Sequence, residues 1–348
     1  MKALTWTRWT LLMCGLGLLS LLVLILCLRF GAEEVRWSVL SPISDLLAAV
    51  RGGQLPRDAA IVFQLRLPRL FMAGSVGAAL AVAGAAFQGL LRNPLADPFI
   101  LGVSSGAALG AILAMGLGVG MVFGFLPAVP LFAFLGAFLT VSAVFRIARV
   151  DGRVPAHTLL LAGVVANAFL SALIMFVVSV TQVNVAYSMM SWMMGSVGYE
   201  SYSMILGVMA YVAVGAFILF GFGRDFNLMA LGEDAAHQTG APVERIKGMS
   251  FFAASLVTGA VVSVSGLIGF VGLIVPHLTR LIFGPDHRVL IPACLFMGAM
   301  FLMICDTLAR TLIAPAEIPV GVVTAMAGGP FFIYLLRKRQ ERAFVEER

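Results

Sequence analysis

Residues 68–91 read PRLFMAGSVGAALAVAGAAFQGLL, and this stretch decides the fold. It contains a single charged residue, Arg69, close to its start. A helix needs about 20 predominantly apolar residues to cross a bilayer, so the stretch predicts a membrane-spanning helix. Gly74, Gly77 and Gly84 are spread along it, and small residues of this kind allow membrane helices to approach one another closely.

The composition of the whole chain points the same way. Of the 348 residues, 61% are hydrophobic and 11% are charged, whereas about 25% of the residues of a soluble domain are charged. So few charged side chains cannot cover a soluble protein of this length, which excludes a soluble enzyme and a disordered chain. The net charge of +6 is scattered between apolar runs, so we expect no nucleic-acid partner and a membrane-lipid environment.

Apolar runs between charged and turn residues predict an all-α polytopic membrane protein with ten transmembrane helices. We place these spans at 10–29, 68–91, 99–118, 121–145, 157–181, 201–222, 248–265, 268–284, 289–308 and 319–336. With a cytoplasmic N-terminus, sixteen of the 23 Lys and Arg residues fall on the cytoplasmic side. Cytoplasmic loops carry an excess of these residues, so we expect both termini in the cytoplasm.

The chain is interpreted as one transmembrane domain over 1–348, with three segments that do not span. Residues 30–67 form the longest outer loop. Residues 182–200 are too polar and interrupted to span, yet they are rich in Met and Trp, which predicts a short outer or re-entrant helix. Residues 223–247 form the longest cytoplasmic loop and the segment with the densest charge.

Glycines and a proline that recur at one fixed offset suggest an internal repeat. The pairs are Gly77 and Gly259, Gly84 and Gly266, Pro94 and Pro276, and Gly102 and Gly284. In the expected topology the first copy begins on an inward-running span and the second on an outward-running one. This predicts an inverted repeat of about 68–181 and 248–336, an arrangement common in transporters. Chance matches among the many glycines are the alternative.

The motifs of common catalytic centres are missing from the chain. A Walker A loop needs a lysine preceded by glycine, and none of Lys2, Lys247 and Lys338 has one. There is no His-Glu-x-x-His or Gly-x-Ser-x-Gly motif, and the four cysteines form no Cys-x-x-Cys pair. We therefore expect no catalytic residues, no metal site and no cofactor.

Few ionisable residues lie within the predicted spans, which bears on the energy source. Ion-coupled carriers usually place carboxylates or histidines near the midplane, but the candidates here, Gln88, Asn167 and Ser171, are neutral. Asn167 fits either a hydrogen bond between helices or a contact along a transport pathway. Asp306 precedes Arg310 by one helical turn, which predicts a local ion pair. A chain of this kind needs an external motor, although a self-contained ion-coupled transporter remains the alternative.

The cytoplasmic loop contains apolar residues between its charges. Leu228 and Leu231 precede a stretch, 232–240, that predicts one or two short helices, with Gly240 at a helix end and Pro242 just beyond. A solvated connector needs no apolar residues, so the loop indicates either docking onto a partner or an ordinary connection.

Several segments together resemble a known family. They are RLPR (66–69), FQGLLRNPLADP (87–98), LGVSSG (101–106), LAGV (161–164), WMMGS (192–196), ALGE (230–233), GFVGLIVPH (269–277), PDHR (285–288), EIPVG (317–321) and GGPFF (328–332). In this order and spacing they resemble the FecCD-type permeases of bacterial ABC importers for iron–siderophores, haem and cobalamin. The resemblance covers about residues 60–337.

The resemblance implies a permease that moves an iron chelate or cobalamin across the bacterial inner membrane. A second permease subunit, expected to be an identical copy, two cytoplasmic ATPase subunits and an outer substrate-binding protein would complete the importer. It also implies that the loop docks on the ATPase through residues Leu228, Leu231, Gly232, Glu233, Ala235, Ala236 and Gly240. Thr239 departs from the apolar residue that is commoner before the glycine.

The resemblance further implies a docking site and a gate. Arg66, Arg69 and Arg310 match outer arginines that pair with carboxylates of the binding protein; arginines that reach to lipid headgroups are the alternative. The gate is expected where the fifth span begins, at Ala156 and His157, with Asn167 and Met193 along the pathway. His157 departs from the small hydroxyl residues common there.

Overall fold

The computed structural model describes residues 5–31, 57–122, 124 and 126–346 of the chain. Its helices are α1 (Trp6–Arg29), α2 (Arg57–Leu90), α3 (Val103–Gly116), α4 (Ala128–Ala148), α5 (Ala156–Val180), α6 (Val183–Met193), α7 (Tyr202–Gly221), α8 (Gly223–Met229), α9 (Glu233–Gln238), α10 (Val243–Ser265), α11 (Val271–Phe283), α12 (His287–Thr311) and α13 (Val320–Glu346). A 3₁₀ turn, Pro98–Leu101, precedes α3, and two short antiparallel strands, β1 (Met121–Val122) and β2 (Leu126–Pro127), precede α4.

Seven of these helices are long and apolar enough to cross a membrane, namely α1, α2, α4, α5, α7, α10 and α12. Shorter apolar helices, Val103–Gly116, Val271–Phe283 and Val320–Tyr334, lie at the three remaining predicted positions. A helix of 14 residues is about 21 Å long, which is less than the roughly 30 Å hydrocarbon core. The predicted all-α membrane class is therefore confirmed, with helices of unequal length.

Helix α2 is the centre of the fold. Of its most apolar stretch, 89% is buried inside the chain, against 11% for α5. It packs mainly on α12, α10 and α11. A Cβ atom added at Gly77 would lie 2.2 Å from the carbonyl oxygen of Gly298, so α2 and α12 meet at their backbones. Close approach of this kind is how small residues stabilise membrane helix pairs.

The start of α2 differs from the sequence prediction. The helix begins at Arg57 rather than near residue 68, so the end of the predicted 30–67 outer loop is helical, while residues 32–56 lie outside the described residues. Proline usually opens a helix because it lacks an amide proton. Here Ile61–Arg66 form a π-helical turn, in which the Leu67 amide donates to the Val62 carbonyl oxygen. The helix continues through Pro68 because this wider turn precedes it.

The other two non-spanning segments are partly helical. Helix α6 lies within 182–200 and buries Met189 completely. The 223–247 segment contains α8 and α9, and its last residues already belong to α10, which begins at Val243.

Candidate functional site

Two short helices, α8 and α9, form the segment that joins α7 to α10. Gly232 lies between them with φ +118°, and Gly240 follows α9 with φ +81°; side chains rarely tolerate either conformation. Leu231 is 75% exposed and is the exposed large apolar side chain of this segment. Leu228 is half-buried against the core of the chain itself.

Ala236 is the residue in this segment whose predicted role the structure corrects. It was predicted to contact a partner, but it is 1% exposed and packs inside the chain. The reason is that α9 lies on α10 and α8, so one of its faces is covered. Ala235 is half-buried on the same short helix, and Glu233 at its start points into an ion-pair network.

Lys247 of α10 is the centre of that network. Its Nζ atom donates to Glu233 Oε2 at 2.6 Å, to Glu244 Oε1 at 3.2 Å and to the Val154 carbonyl oxygen at 3.0 Å. Glu244 Oε2 accepts from the Val154 amide at 2.9 Å, and Arg92 Nη2 donates to Glu233 Oε1 at 3.0 Å. The Lys247 side chain is 5% exposed, so water does not screen these contacts fully.

The network connects the α8–α9 segment to the start of α5. Val154 lies two residues before Ala156, the first residue of α5. An ammonium group has three protons, and here all three have protein acceptors. Lys247 therefore joins α9 and α10 to the α4–α5 connection through direct contacts. The sequence did not predict this network, because Lys247 bonds to Glu233, 14 residues away, and to Val154, 93 residues away, and Arg92 lies 141 residues from Glu233.

The residues predicted to form a gate and pathway lie in different surroundings. Ala156 and Met193 are half-buried and His157 is exposed. Asn167 Nδ2 donates to the carbonyl oxygens of Phe99 and Ile100 at 2.8 and 2.9 Å, and Asn167 Oδ1 accepts from Ser105. The side chain of Asn167 thus binds the turn before α3, which is the interhelical hydrogen bond that the sequence left open.

Helix α5 presents a broad apolar surface. Leu161, Phe169 and Phe176 are each more than 60% exposed in the single chain. Lipid, another subunit or a transport pathway can lie against such a surface in a membrane.

Three arginines line a cavity of about 330 Å³ at the opposite end of the molecule: Arg57, Arg66 and Arg310, with Tyr199 and Glu317 beside them. Arg66 Nη1 donates to the Leu28 carbonyl oxygen at 2.9 Å, which ties α2 to the end of α1. A cavity of this composition suits a carboxylate, because guanidinium groups bind carboxylates with paired hydrogen bonds.

Arg69 does not line this cavity. Its Nε donates to Asp306 Oδ1 at 3.0 Å and its Nη1 to Glu317 Oε2 at 2.8 Å. Its guanidinium lies 5.1 Å from the centre of the Tyr199 ring. Arg310 Nε donates to Asp306 Oδ2 at 3.1 Å, so the predicted ion pair one helical turn apart is confirmed.

The three arginines that the resemblance assigns to docking are all buried in the single chain. Arg66, Arg69 and Arg310 are 4%, 4% and 5% exposed. Arg69 is paired with two carboxylates and Arg310 with one, while Arg66 and Arg310 line the cavity together with Arg57. The physical reason is that Asp306 and Glu317, distant in sequence, fold against Arg69 and hold it inside.

Asp97 caps the turn that Asn167 holds from the other side. Its Oδ1 accepts from the Phe99 amide at 2.8 Å. Burial of the carboxyl group raises the pKa of Asp97 to about 6, although the Phe99 hydrogen bond acts in the opposite direction.

Within the described part of the chain, no group of three or more His, Cys, Asp or Glu residues is placed to hold a metal ion.

The chain is similar to known transport proteins along most of its length. Residues 18–338 match the model of the FecCD transport family. A cobalamin import system permease protein of Halobacterium salinarum is 45% identical over 283 residues, which cover 81% of this chain and 75% of that protein. A hemin transport system permease protein of Yersinia pestis is 40% identical over 289 residues, covering 81% and 85%. A solved structure described as an inward-facing metal-chelate type ABC transporter superposes with a TM-score of 0.79 at 30% identity, covering 95% of this chain and 99% of that one.

Proposed function

Because the chain belongs to the FecCD transport family and is the permease subunit of an ABC importer in the bacterial inner membrane, we propose that it carries a large metal chelate. The substrate class is a corrinoid, haem or an iron–siderophore. It rests on the names of the relatives, which are a cobalamin and a hemin permease. The chain depends on a separate ATPase and a substrate-binding protein.

The proposed permease is a homodimer of ten-span subunits with both termini in the cytoplasm. Two ATPase subunits bind it on the cytoplasmic side, and one binding protein binds it on the outer side. The seven long and three shorter apolar helices support the count of ten. The apolar surface of α5 supports a second permease copy at that face, because a pathway between two subunits needs a helix from each that its own chain does not cover. The recurring glycines support the inverted repeat of 68–181 and 248–336.

The observation that carries the coupling proposal is the set of contacts made by Lys247. We assign ATPase docking to the α8–α9 segment with Leu231 at the contact, flanked by Gly232, Glu233, Ala235 and Gly240. Nucleotide-driven movement of this segment would reach Ala156 and His157 at the start of α5 through Glu233, Lys247 and Val154. The buried lysine, with acceptors on three different segments, makes the connection stiff.

Docking of the binding protein is assigned to the cavity lined by Arg57, Arg66 and Arg310. Glutamate or aspartate side chains on the binding protein are the expected ligands. Arg69 acts here as a structural residue that holds Asp306 and Glu317 and thereby orients Arg310.

The decisive experiment is reconstitution of the permease with its cognate ATPase and binding protein in liposomes. Uptake of the chelate should require ATP inside and the binding protein outside, and it should be unaffected by collapsing proton and sodium gradients. Uptake by the permease alone in response to an ion gradient would instead establish the alternative, a self-contained secondary transporter. Leu231→Asp should abolish ATPase capture, with Leu231→Met as the matched control that keeps the apolar contact.

A further inference from the structure

A cavity of about 460 Å³ lies at the end of three membrane helices. It is lined by Trp6 and Trp9 of α1, Phe220 of α7, Arg224 of α8 and Arg288 of α12. The predicted orientation places this end at the cytoplasmic membrane surface. None of the coupling or docking contacts described above uses these residues.

The cavity is held in shape by α1. Trp9 Nε1 donates to the Arg288 carbonyl oxygen at 3.0 Å, and the Trp9 and Phe220 rings lie 6.2 Å apart. Trp6 packs edge-on against Trp9 at 5.9 Å and is 82% exposed. Tryptophan is enriched where a membrane meets water, because the indole ring is apolar and its N–H is polar. The aromatic wall therefore lies at headgroup depth.

The charge of the cavity is positive. Arg288 is paired with Asp286 through contacts of 2.6 to 3.1 Å. Arg224 is exposed and makes no ion pair with another residue in the described ranges. One guanidinium thus remains available at the polar edge of an aromatic cavity, which suits a phosphate group.

A second, apolar groove of about 400 Å³ lies farther along α1, α7 and α12 and is also lined by α2. Leu21 and Leu24 of α1, Met209 and Ala213 of α7 and Ala299 of α12 line it. Ala213 precedes Phe220 by seven residues, or about 10 Å along α7 at 1.5 Å per residue. A cationic cavity at the membrane surface with an apolar groove above it has the shape and polarity of an amphiphile with a phosphate head and an acyl chain.

We propose that these two cavities form one binding site for an anionic phospholipid of the cytoplasmic leaflet. Its phosphate would lie at Arg224 beside the two tryptophans, and an acyl chain would extend into the groove between α1 and α7. The proposal is independent of which chelate is transported, and its test uses the permease without the ATPase because Arg224 lies on α8, in the segment assigned to ATPase docking.

The test measures lipids retained by the full-length chain. Purified protein is incubated in mixed micelles with equal amounts of phosphatidylglycerol and phosphatidylcholine, and bound lipids are counted by native mass spectrometry. A basic residue near an anionic surface contributes about 1 kcal/mol, so we expect about a fivefold preference for phosphatidylglycerol. Arg224→Gln should remove this preference, and Ala213→Phe, which fills the groove, should reduce retention of both lipids.

Two matched variants serve as controls. Arg149→Gln removes an exposed arginine elsewhere, and Val214→Phe enlarges the neighbouring, 61% exposed residue of α7. Both should behave as the unmodified chain. The proposal is overturned if Arg149→Gln loses the preference as fully as Arg224→Gln, or if Ala213→Phe retains lipid normally. Displacement of the lipid by soluble glycerol 3-phosphate would also overturn it, because the site would then bind a free phosphate rather than a lipid.

Discussion

Replacing Lys247 with methionine tests the proposed connection between ATPase docking and the gate. Methionine keeps the length and apolar stem of the side chain but removes the ammonium that joins Glu233, Glu244 and the Val154 carbonyl. We predict that ATP hydrolysis by the assembled importer continues while substrate uptake falls at least tenfold. The movement of α9 would then no longer reach the start of α5.

The energetic cost follows from the burial of each partner. Removing one partner of a fully buried ion pair costs about 3–5 kcal/mol. Glu233 and Glu244 keep 25% and 29% of their side chains exposed, and Arg92 still pairs with Glu233. Water and Arg92 therefore compensate in part, and we expect a loss of about 2 kcal/mol in the free energy of unfolding. A chain that loses this much still folds and assembles.

The assay is the ratio of substrate transported to ATP hydrolysed in proteoliposomes. Arg92→Gln is the matched control, because it removes the other cation on Glu233 from a site that is 39% exposed. An exposed pair contributes about 0–1 kcal/mol, so this control should keep the ratio close to that of the unmodified importer. The reasoning is refuted if Lys247→Met transports with the normal ratio, or if Arg92→Gln uncouples to the same extent.

Three further predictions follow from burial and charge. Leu231→Asp should abolish capture of the ATPase in a pull-down without changing thermal stability, whereas Ala236→Asp, which buries a charge inside the chain, should lower the melting temperature. Arg66→Gln should weaken binding-protein capture by up to about fivefold in low salt. Arg69→Gln should instead lower the free energy of unfolding by about 2 kcal/mol, because Asp306 is 0% exposed but keeps Arg310 as a partner. Equal effects on capture would contradict this division. Burial raises the folded-state pKa of Asp97 from 3.8 to about 6, so the protonated carboxyl is favoured in the folded chain, and the free energy of unfolding should fall by about 3 kcal/mol in total as pH rises from about 3 to 7. Asp97→Asn should remove that part of the pH dependence of thermal unfolding; an unchanged profile would show that Asp97 is not its source.

Local pattern predicted the parts of this protein that depend on neighbouring residues along the chain. The class of membrane protein and the positions of the apolar helices follow from composition and run length, because an apolar residue in a bilayer is stabilised wherever it faces. The Asp306–Arg310 pair was predictable because residues four apart meet on one side of a helix. The placement of short helices in 228–240 follows from Gly240 and Pro242 in the same way.

Contacts between distant segments were decided by the tertiary structure alone. Lys247 joins Glu233 and Val154, and Asp306 with Glu317 encloses Arg69, across separations that no local pattern encodes. The tertiary structure also decided that Arg69 is enclosed by two carboxylates, that Arg66 lines a cavity, and that Arg310 does both, pairing with Asp306 and lining the cavity. It also turned Ala236 inward and continued α2 through Pro68. The sequence determines which residues prefer the membrane and which prefer a helix. The partner of a buried charge is set by which segments pack together, because a charge in a low-dielectric interior is stable only beside a group that the fold brings to it.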